Sequence, residues 1–500
     1  MKERIKGVTL SYIYMATHIF VSFISVPIIL KFVGEEEYGV YQIVGALISY
    51  VAIFETSISG GTLKYFSQAV AKKSQQDMKI VLSISRKINR YLSFALVLIC
   101  VLFLTLFKFF YEESLLHSQM NESLIMIILL FLNLIFSLSN SIYLAAITSY
   151  EKFTFLRLIL IVSKLIQPLM YSFFLKIFPY AVTIVVIQLC INLILCLLRY
   201  LYFKKHIRIT IPRKISNPTL LRSMLFFSTS ILLSSIADQI FWKTDQLILG
   251  SMFSPTIVAV YSIGSQIYYN YMLIGIQAST VFYPELSRLN QKSDGIQLMS
   301  NLFIKVGRIS YYLLFSIVIG FMLFGKEFIH IWVGSNFEES YYIALIVMIP
   351  FTIDIVQHIG LNILQVINKY SFRAKIYLFS AILNILSTLV LSKYMGALGA
   401  ALSTGITMLI TSGFILNWYY YSIVKLDIIR FWKEIIFITI RLIPSVLVGF
   451  LINLIIDEFS LFNFILKLVL FLSFYLINCY LTMNDYEKKL IINLVGFVKR

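Results

Sequence analysis

Charge is scarce in this sequence. Only 13% of its 500 residues are Asp, Glu, Lys or Arg, about half the share of a water-soluble domain. Acidic residues are the rarer sign, 24 against 42 basic ones. Cysteine is limited to Cys100, Cys190, Cys196 and Cys479, all inside apolar runs. Their spacing fits neither a metal site nor a disulfide framework, and they read as small apolar residues. Five histidines are scattered, and no phosphate loop or metal motif is present. No catalytic constellation, cofactor or metal site is therefore expected, and the chain reads as a non-enzyme. Alternating ten-residue strands are missing, which excludes a transmembrane barrel.

Long apolar runs fill the space that charge leaves. Hydrophobic residues make up 59% and mean hydropathy is +0.86. Runs of about 20 residues match the roughly 30 Å of a bilayer's hydrocarbon. Fourteen such runs are expected: 8–33, 39–62, 91–111, 120–148, 154–177, 179–203, 223–250, 256–282, 302–325, 340–368, 372–394, 396–422, 430–456 and 461–482. The first follows a basic start but is too long for a signal peptide and lacks a cleavage site, so it is expected to stay as a membrane helix.

Charge checks the count independently, because Lys and Arg gather in cytoplasmic loops. The N-terminus, every second loop and the tail together carry +24, the alternate set −6, and the spans cancel, returning the net +18. Both termini are expected in the cytoplasm. The basic excess is thus a topology signal and a surface for anionic lipid, not a nucleic-acid footprint. The richest loop, 199–222, reads as an amphipathic linker.

The chain also matches itself. A shift of 220 lays Tyr41 on Tyr261, Ser59 on Ser279 and Ser67 on Ser287; a shift of 217 lays Lys152-Phe153 on Lys369-Tyr370. Spans 1–6 then correspond to spans 7–12, as parallel repeats common in transporters. The expected architecture is an all-α polytopic membrane protein of about 14 transmembrane helices. Its parts are an N-terminal lobe (1–204), a basic cytoplasmic linker (205–222), a C-terminal lobe (223–422), an extra helix pair (423–482) and a cytoplasmic tail (483–500).

Several blocks resemble one transporter superfamily. They are Pro27 to Gly34 with Tyr38-Gly39-Val-Tyr41, Ser59-Gly60-Gly61, Asp245 to Gly250, Val-Ala-Val-Tyr261, Pro284-Glu-Leu-Ser287-Arg288, Trp332-Val-Gly334 and Gly396 to Thr404. Together they are similar to polysaccharide repeat-unit flippases of the Wzx type, in the multidrug/oligosaccharidyl-lipid/polysaccharide (MOP) exporter superfamily that also holds MurJ lipid II flippases and MATE antiporters. The resemblance covers nearly all of residues 5–425. It implies two pseudo-symmetric six-helix lobes around a cavity that opens to either side in turn. It also implies a substrate of oligosaccharide on undecaprenyl pyrophosphate. Span 1 carries His18 but neither an arginine, as in lipid II flippases, nor an acid, as in MATE antiporters.

Candidate residues follow from helical faces. In span 10, Asp354, His358, Asn362, Gln365 and Lys369 form a line; in span 8, Ser262, Gln266, Asn270 and Gln277; in span 1, Ser11, His18, Ser22 and Ser25. Each line is either a wet cavity wall or interhelical glue. A pyrophosphate head group calls for cations. Lys243 and Lys164 within spans, and Lys64 and Arg90 at the cytoplasmic mouth, are the candidates. Lys243 either meets substrate or pairs with a carboxylate such as Glu55 or Asp354. Asp238 and Asp245, seven apart, share a face, with Asp238 near mid-membrane. Ion coupling is open to His18, Glu55, Asp238, Asp245 and Asp354. Arg441 and Lys467, outside the repeat, are expected to snorkel or pair.

The expected function is translocation of undecaprenyl-pyrophosphate-linked oligosaccharide across a bacterial cytoplasmic membrane, for surface polysaccharide assembly. Expected partners are that substrate, membrane lipids, and a polysaccharide polymerase and glycosyltransferases. Rivals are a MATE-like cation antiporter, a lipid II flippase, and a membrane glycan polymerase. The last generally needs a large outer loop, and the outer loops here reach only about 15 residues.

Overall fold

A computed structural model describes residues 2–212, 217–280 and 282–488. Residues 213–216 of the expected linker and the tail beyond 488 lie outside the described residues. The described residues are helical almost throughout. The helices are α1 (Lys2–Val33), α2 (Glu35–Ala71), α3 (Gln75–Tyr111), α4 (His117–Ser149), α5 (Phe153–Ile177), α6 (Ala181–Tyr202), α7 (Pro218–Met252) and α8 (Pro255–Thr280). They continue as α9 (Tyr283–Leu289), α10 (Gly295–Val333), α11 (Glu339–Val356), α12 (Ile359–Val366), α13 (Ser371–Met408), α14 (Leu416–Tyr419), α15 (Ile428–Ile455) and α16 (Leu461–Thr482).

Local chemistry sets many of the ends. Ser74, Asn217, Asp427 and Ser460 cap α3, α7, α15 and α16, each side chain accepting a backbone N–H of the first turn. Pro218 at the start of α7 costs no hydrogen bond there. Gly34, at φ 88°, turns the chain between α1 and α2 in a conformation that favours glycine.

Among the described residues, twelve helices are long and apolar enough to cross a membrane, so the chain is a multi-pass membrane protein. The sequence leads one to expect fourteen. The runs 372–394 and 396–422 fall within one helical stretch, Ser371–Val424, broken only at Gly396 (φ 55°, ψ −130°). The run 256–282 is α8, whose Ser, Gln, Asn and Tyr residues dilute its apolarity and leave it outside the twelve. A second difference concerns span 10. It is not one helix: α11 ends at Val356, a turn passes through Gln357 and His358, and α12 follows. The polar line from Asp354 to Lys369 is therefore interrupted in its first turn.

Two compact units divide the chain, Met1–Ala259 and Val260–Arg500. In unit 1, α1 packs on α5, and α2 on α4 and α7. Gly39 is there because a Cβ would overlap the Pro255 carbonyl oxygen, and Gly61 because one would meet Ser228 Oγ. The described part of the linker is not a loose tether. Ile207, Ile209 and Ile211 cover an apolar cluster built on Phe66, Leu82, Ile142 and Ala146. Arg86 donates to the Ile211 carbonyl at 3.2 Å. Outward faces are apolar, as on α3 with Phe94, Leu98, Leu102 and Phe109 exposed.

In unit 2, α15 and α16 pack on α10 through two buried polar knots. Arg308 of α10 donates to Glu487 at 2.6 and 3.1 Å and also binds Glu434 of α15. Lys467 of α16 sits 2.7 Å from Glu327 of α10 and 3.1 Å from Asn453 of α15. On each of α10 and α15 the two knots lie about 28 Å apart, the rise of 19 residues and close to a bilayer's hydrocarbon thickness.

The repeat is visible in backbone detail. Glu151 (φ 57°) ends α4 and Asn368 (φ 58°), 217 residues later, ends α12, each followed by a lysine N–H that reaches five residues back, to Ile147 and Leu364. A π-helical turn at Phe203–Ile207 closes on left-handed Arg208, and its counterpart at Tyr420–Val424 closes on left-handed Lys425. Phe155 stacks on Tyr202 at 4.0 Å, and Phe372 on Tyr419 at 3.6 Å. One pair trades volume: Tyr143 packs on Phe203, whereas Gly360 packs on Tyr420.

Candidate functional site

Unit 1 gathers most of the cations. Lys164 on α5 is partly buried and donates to Gln167 Oε1 at 3.2 Å. Gln167 passes the chain to Tyr171 Oη at 2.6 Å, and Gln188 of α6 joins Tyr171 to Tyr41 of α2. The Lys164 charge acts on His18 of α1, whose Nδ1 is buried without a partner. Three helices, α5, α6 and α2, thus present a continuous relay of ammonium, amide and phenol groups. The sequence points to His18 by helical spacing and to Lys164 as a cation inside a span, but not to the amides and tyrosines beside them. Gln167, at i+3 from Lys164 and i−4 from Tyr171, is the signal that could have found them.

Lys243 on α7 is partly buried and has Gln246 Oε1 at 3.5 Å. It makes no ion pair with the described residues of unit 1. Glu55, one of the partners considered for it, instead accepts from Ser137 Oγ at 2.5 Å. On α7, Asp245 is buried and Asp238 is exposed. At the end of α2, exposed Lys64 stacks over Phe227 at 3.8 Å. Arg90 is exposed on α3.

One cation that the sequence places at the start of the linker is not there. Arg199 lies within α6, 9% exposed. It groups with the loop charges because it stands at the basic end of an apolar run. Cys196 and Asn192, one and two turns before it on the same face, are the sign of its burial.

In unit 2 the expected residues divide. Asn362 donates to the Ser279 carbonyl at 3.1 Å and ties α12 to α8. Asn270 is buried and donates to the Gln266 carbonyl one turn back at 2.9 Å. His358, at the break between α11 and α12, has a buried Nδ1 without a partner. Asp354 acts on His358 and on Arg373 of α13, a residue not singled out from sequence. Lys467 pairs with buried Glu327, whereas Arg441 lies over the Phe437 ring at 3.9 Å. No group of His, Cys, Asp and Glu able to hold a metal is present among the described residues.

Partly buried cations served by amides, in a bundle of membrane helices, suit the handling of a polar anionic solute. A family model described as polysaccharide biosynthesis protein matches residues 28–342. The chain belongs to that family. It is similar to the probable low-salt glycan biosynthesis flippase Agl15 of Haloferax volcanii, with 23% identity over 201 residues. That match spans 40% of this chain and 42% of the relative, less than half of either. In fold, the chain is similar to the lipid II flippase MurJ in an inward closed conformation, with a TM-score of 0.75 at 14% identity, over 97% of this chain and 100% of that one. It is also similar to an inward-facing multidrug resistance MATE family transporter of the MOP superfamily, with a TM-score of 0.67 at 12% identity, over 83% and 96% of the two chains. The polysaccharide family member thus has the MOP exporter fold, as its motifs imply.

Proposed function

We propose that this chain translocates a lipid-linked oligosaccharide, an undecaprenyl-pyrophosphate repeat unit, across a bacterial cytoplasmic membrane by alternating access. The observation that carries this reading is the pair Lys164 and Lys243. Each is a partly buried ammonium group served by a glutamine oxygen, at 3.2 and 3.5 Å, rather than by a carboxylate. A cation at membrane depth costs about 2.5–3.5 kcal/mol on insertion scales and calls for an anionic partner. A pyrophosphate supplies about two negative charges and accepts hydrogen bonds from ammonium groups. The neighbouring amides and phenols suit sugar hydroxyls. Family membership and the glycan flippase relative support the same substrate class. Moving two negative charges outward across an inside-negative potential releases about 4.6 kcal/mol per 100 mV, enough to drive transport without ATP.

The test is flipping of an undecaprenyl-pyrophosphate oligosaccharide in proteoliposomes under an imposed potential. Lys164→Ala and Lys243→Ala are each expected to lower the rate at least tenfold with the protein still folded. A strain lacking the chain should accumulate lipid-linked units at the inner leaflet. Cation-dependent drug efflux with no effect on glycan would instead make it an antiporter.

A further inference from the structure

We propose that unit 1 binds an anionic phospholipid on α3, through Arg86 and Arg90, on the face that unit 2 fills on α10 with its own α15 and α16. The proposal goes beyond the transport reading and holds whatever the chain carries.

A shift of 222 lays the end of α3, Tyr111, on the end of α10, Val333, and lays Arg86 on Arg308. Each arginine receives the stretch of chain that follows the π-helical turn of its own half. In unit 1 that stretch leaves left-handed Arg208, covers the helices with Ile209 and Ile211, and gives Arg86 the Ile211 carbonyl at 3.2 Å. In unit 2 it leaves left-handed Lys425, buries Leu426 and Ile428, and brings Glu434 to Arg308. There the likeness ends. Glu487, beyond α16, adds a second carboxylate to Arg308 at 2.6 and 3.1 Å. Arg86 has no carboxylate within 4.0 Å among the described residues.

A guanidinium carries five donors, and one carbonyl leaves most of them unused. The charge around Arg86 is of one sign. Arg90 stands one turn further along α3, and Lys87, Lys204 and Lys205 are exposed. The one acid of α3, Asp77, lies nine residues before Arg86.

The surface beside these cations decides the kind of anion. Arg90, Phe94, Val97 and Val101 share a face of α3, and the three apolar residues are 67%, 50% and 58% exposed. On α10 the residues matching Arg90 and Val97 are Tyr312 and Ile319, only 4% and 8% exposed on the helix that α15 and α16 cover. Tyr312 there donates to the Thr482 carbonyl and accepts Tyr475 on its own carbonyl, both from α16. A bare apolar strip leading from two arginines into the membrane suits an acyl chain below a phosphate. Guanidinium groups bind phosphate as they bind carboxylate, with paired charge-assisted hydrogen bonds. The lipid phosphate thus supplies to Arg86 what Glu434 and Glu487 supply to Arg308. Its chain lies along α3 as the extra helix pair lies along α10.

Native mass spectrometry of the purified chain, in a mixture of phosphatidylglycerol and phosphatidylcholine, tests this. Wild type is expected to retain phosphatidylglycerol in preference to phosphatidylcholine. Arg90→Gln, at an exposed position, and Arg86→Gln, which keeps a donor for Ile211, should each weaken retention about tenfold, the loss of a charge-assisted hydrogen bond. Lys72→Gln with Lys73→Gln removes two exposed charges about 20 Å from Arg86 by helical rise, and should leave retention unchanged. Equal retention of the two lipids overturns the proposal. So does equal weakening by the lysine pair, the mark of a diffuse surface attraction. Displacement by glycerol phosphate, the head group without its chains, would make this a soluble-anion site and overturns it too. A wild type that retains neither lipid leaves the face to another membrane helix and refutes the lipid. Melting temperatures show that each variant is folded, and phosphatidylglycerol should raise that of wild type more than that of either arginine variant. The assay uses no glycan and no membrane potential, so its result is independent of the flipping assay.

Discussion

Lys467→Met isolates one buried charge. In the native chain Lys467 and Glu327 are 1% and 2% exposed at 2.7 Å, with Asn453 closing the knot. At an effective dielectric near 20, unit charges at that distance attract by about 6 kcal/mol before desolvation. Desolvation cancels most of this for the intact pair, but not for the half that a single mutation leaves behind. Lys467→Met keeps the apolar stem and strands Glu327, whose Oε1 already lacks a partner. The expected cost is about 3–5 kcal/mol, which corresponds to a fall in melting temperature on the order of 10 °C. Lys467→Met with Glu327→Gln removes both charges and should recover at least half of that loss. Thermal unfolding in one detergent, across the single and double variants, gives the coupling energy directly. A double variant no more stable than Lys467→Met refutes the buried-pair account. So does a single variant within about 0.5 kcal/mol of wild type, the range of an exposed pair.

Three further outcomes follow from packing and hydrogen bonding. Gly39→Ala should lower stability by about 2–3 kcal/mol, because its Cβ meets the backbone oxygen of Pro255, which has no rotamer to move; thermal unfolding checks this. Gly360→Ala, whose Cβ would stand 2.6 Å from the Tyr420 ring, should cost about 1–3 kcal/mol in the same measurement, and Gly360→Ala with Tyr420→Phe less, since the hydroxyl is the other close atom. Gln188→Leu cuts the links to Tyr41 and Tyr171. It should lower flipping more than Lys64→Ala, whose ammonium is exposed over Phe227, in side-by-side proteoliposome rates.

Much of the fold is legible in the sequence because it depends on local composition. Apolar length announces a membrane helix wherever it occurs, and Pro27–Gly34, Tyr38-Gly39 and Gly396 mark places where the backbone turns or nearly touches another segment. The repeat shows only as a few weak matches, since two halves can keep one backbone while exchanging side chains. Tyr143 with Phe203 and Gly360 with Tyr420 fill corresponding spaces in ways no residue-by-residue comparison scores as similar. The candidate site is less legible. Helical spacing gives the face of a residue on its own helix, but not what stands opposite.

That limit separates the two sources. The sequence by itself determined that this chain crosses a membrane many times, that basic residues favour one set of loops, and that cations remain inside apolar runs. These follow from the cost of charge in hydrocarbon, which applies position by position. Tertiary structure decided which of those charges are satisfied. Lys467 found Glu327, 140 residues away, and became part of the scaffold. Arg199 moved from the expected linker into a buried place near Glu55. Lys164 and Lys243 met glutamine oxygens, at 3.2 and 3.5 Å. Pairing depends on distances between helices, and only the folded chain sets them.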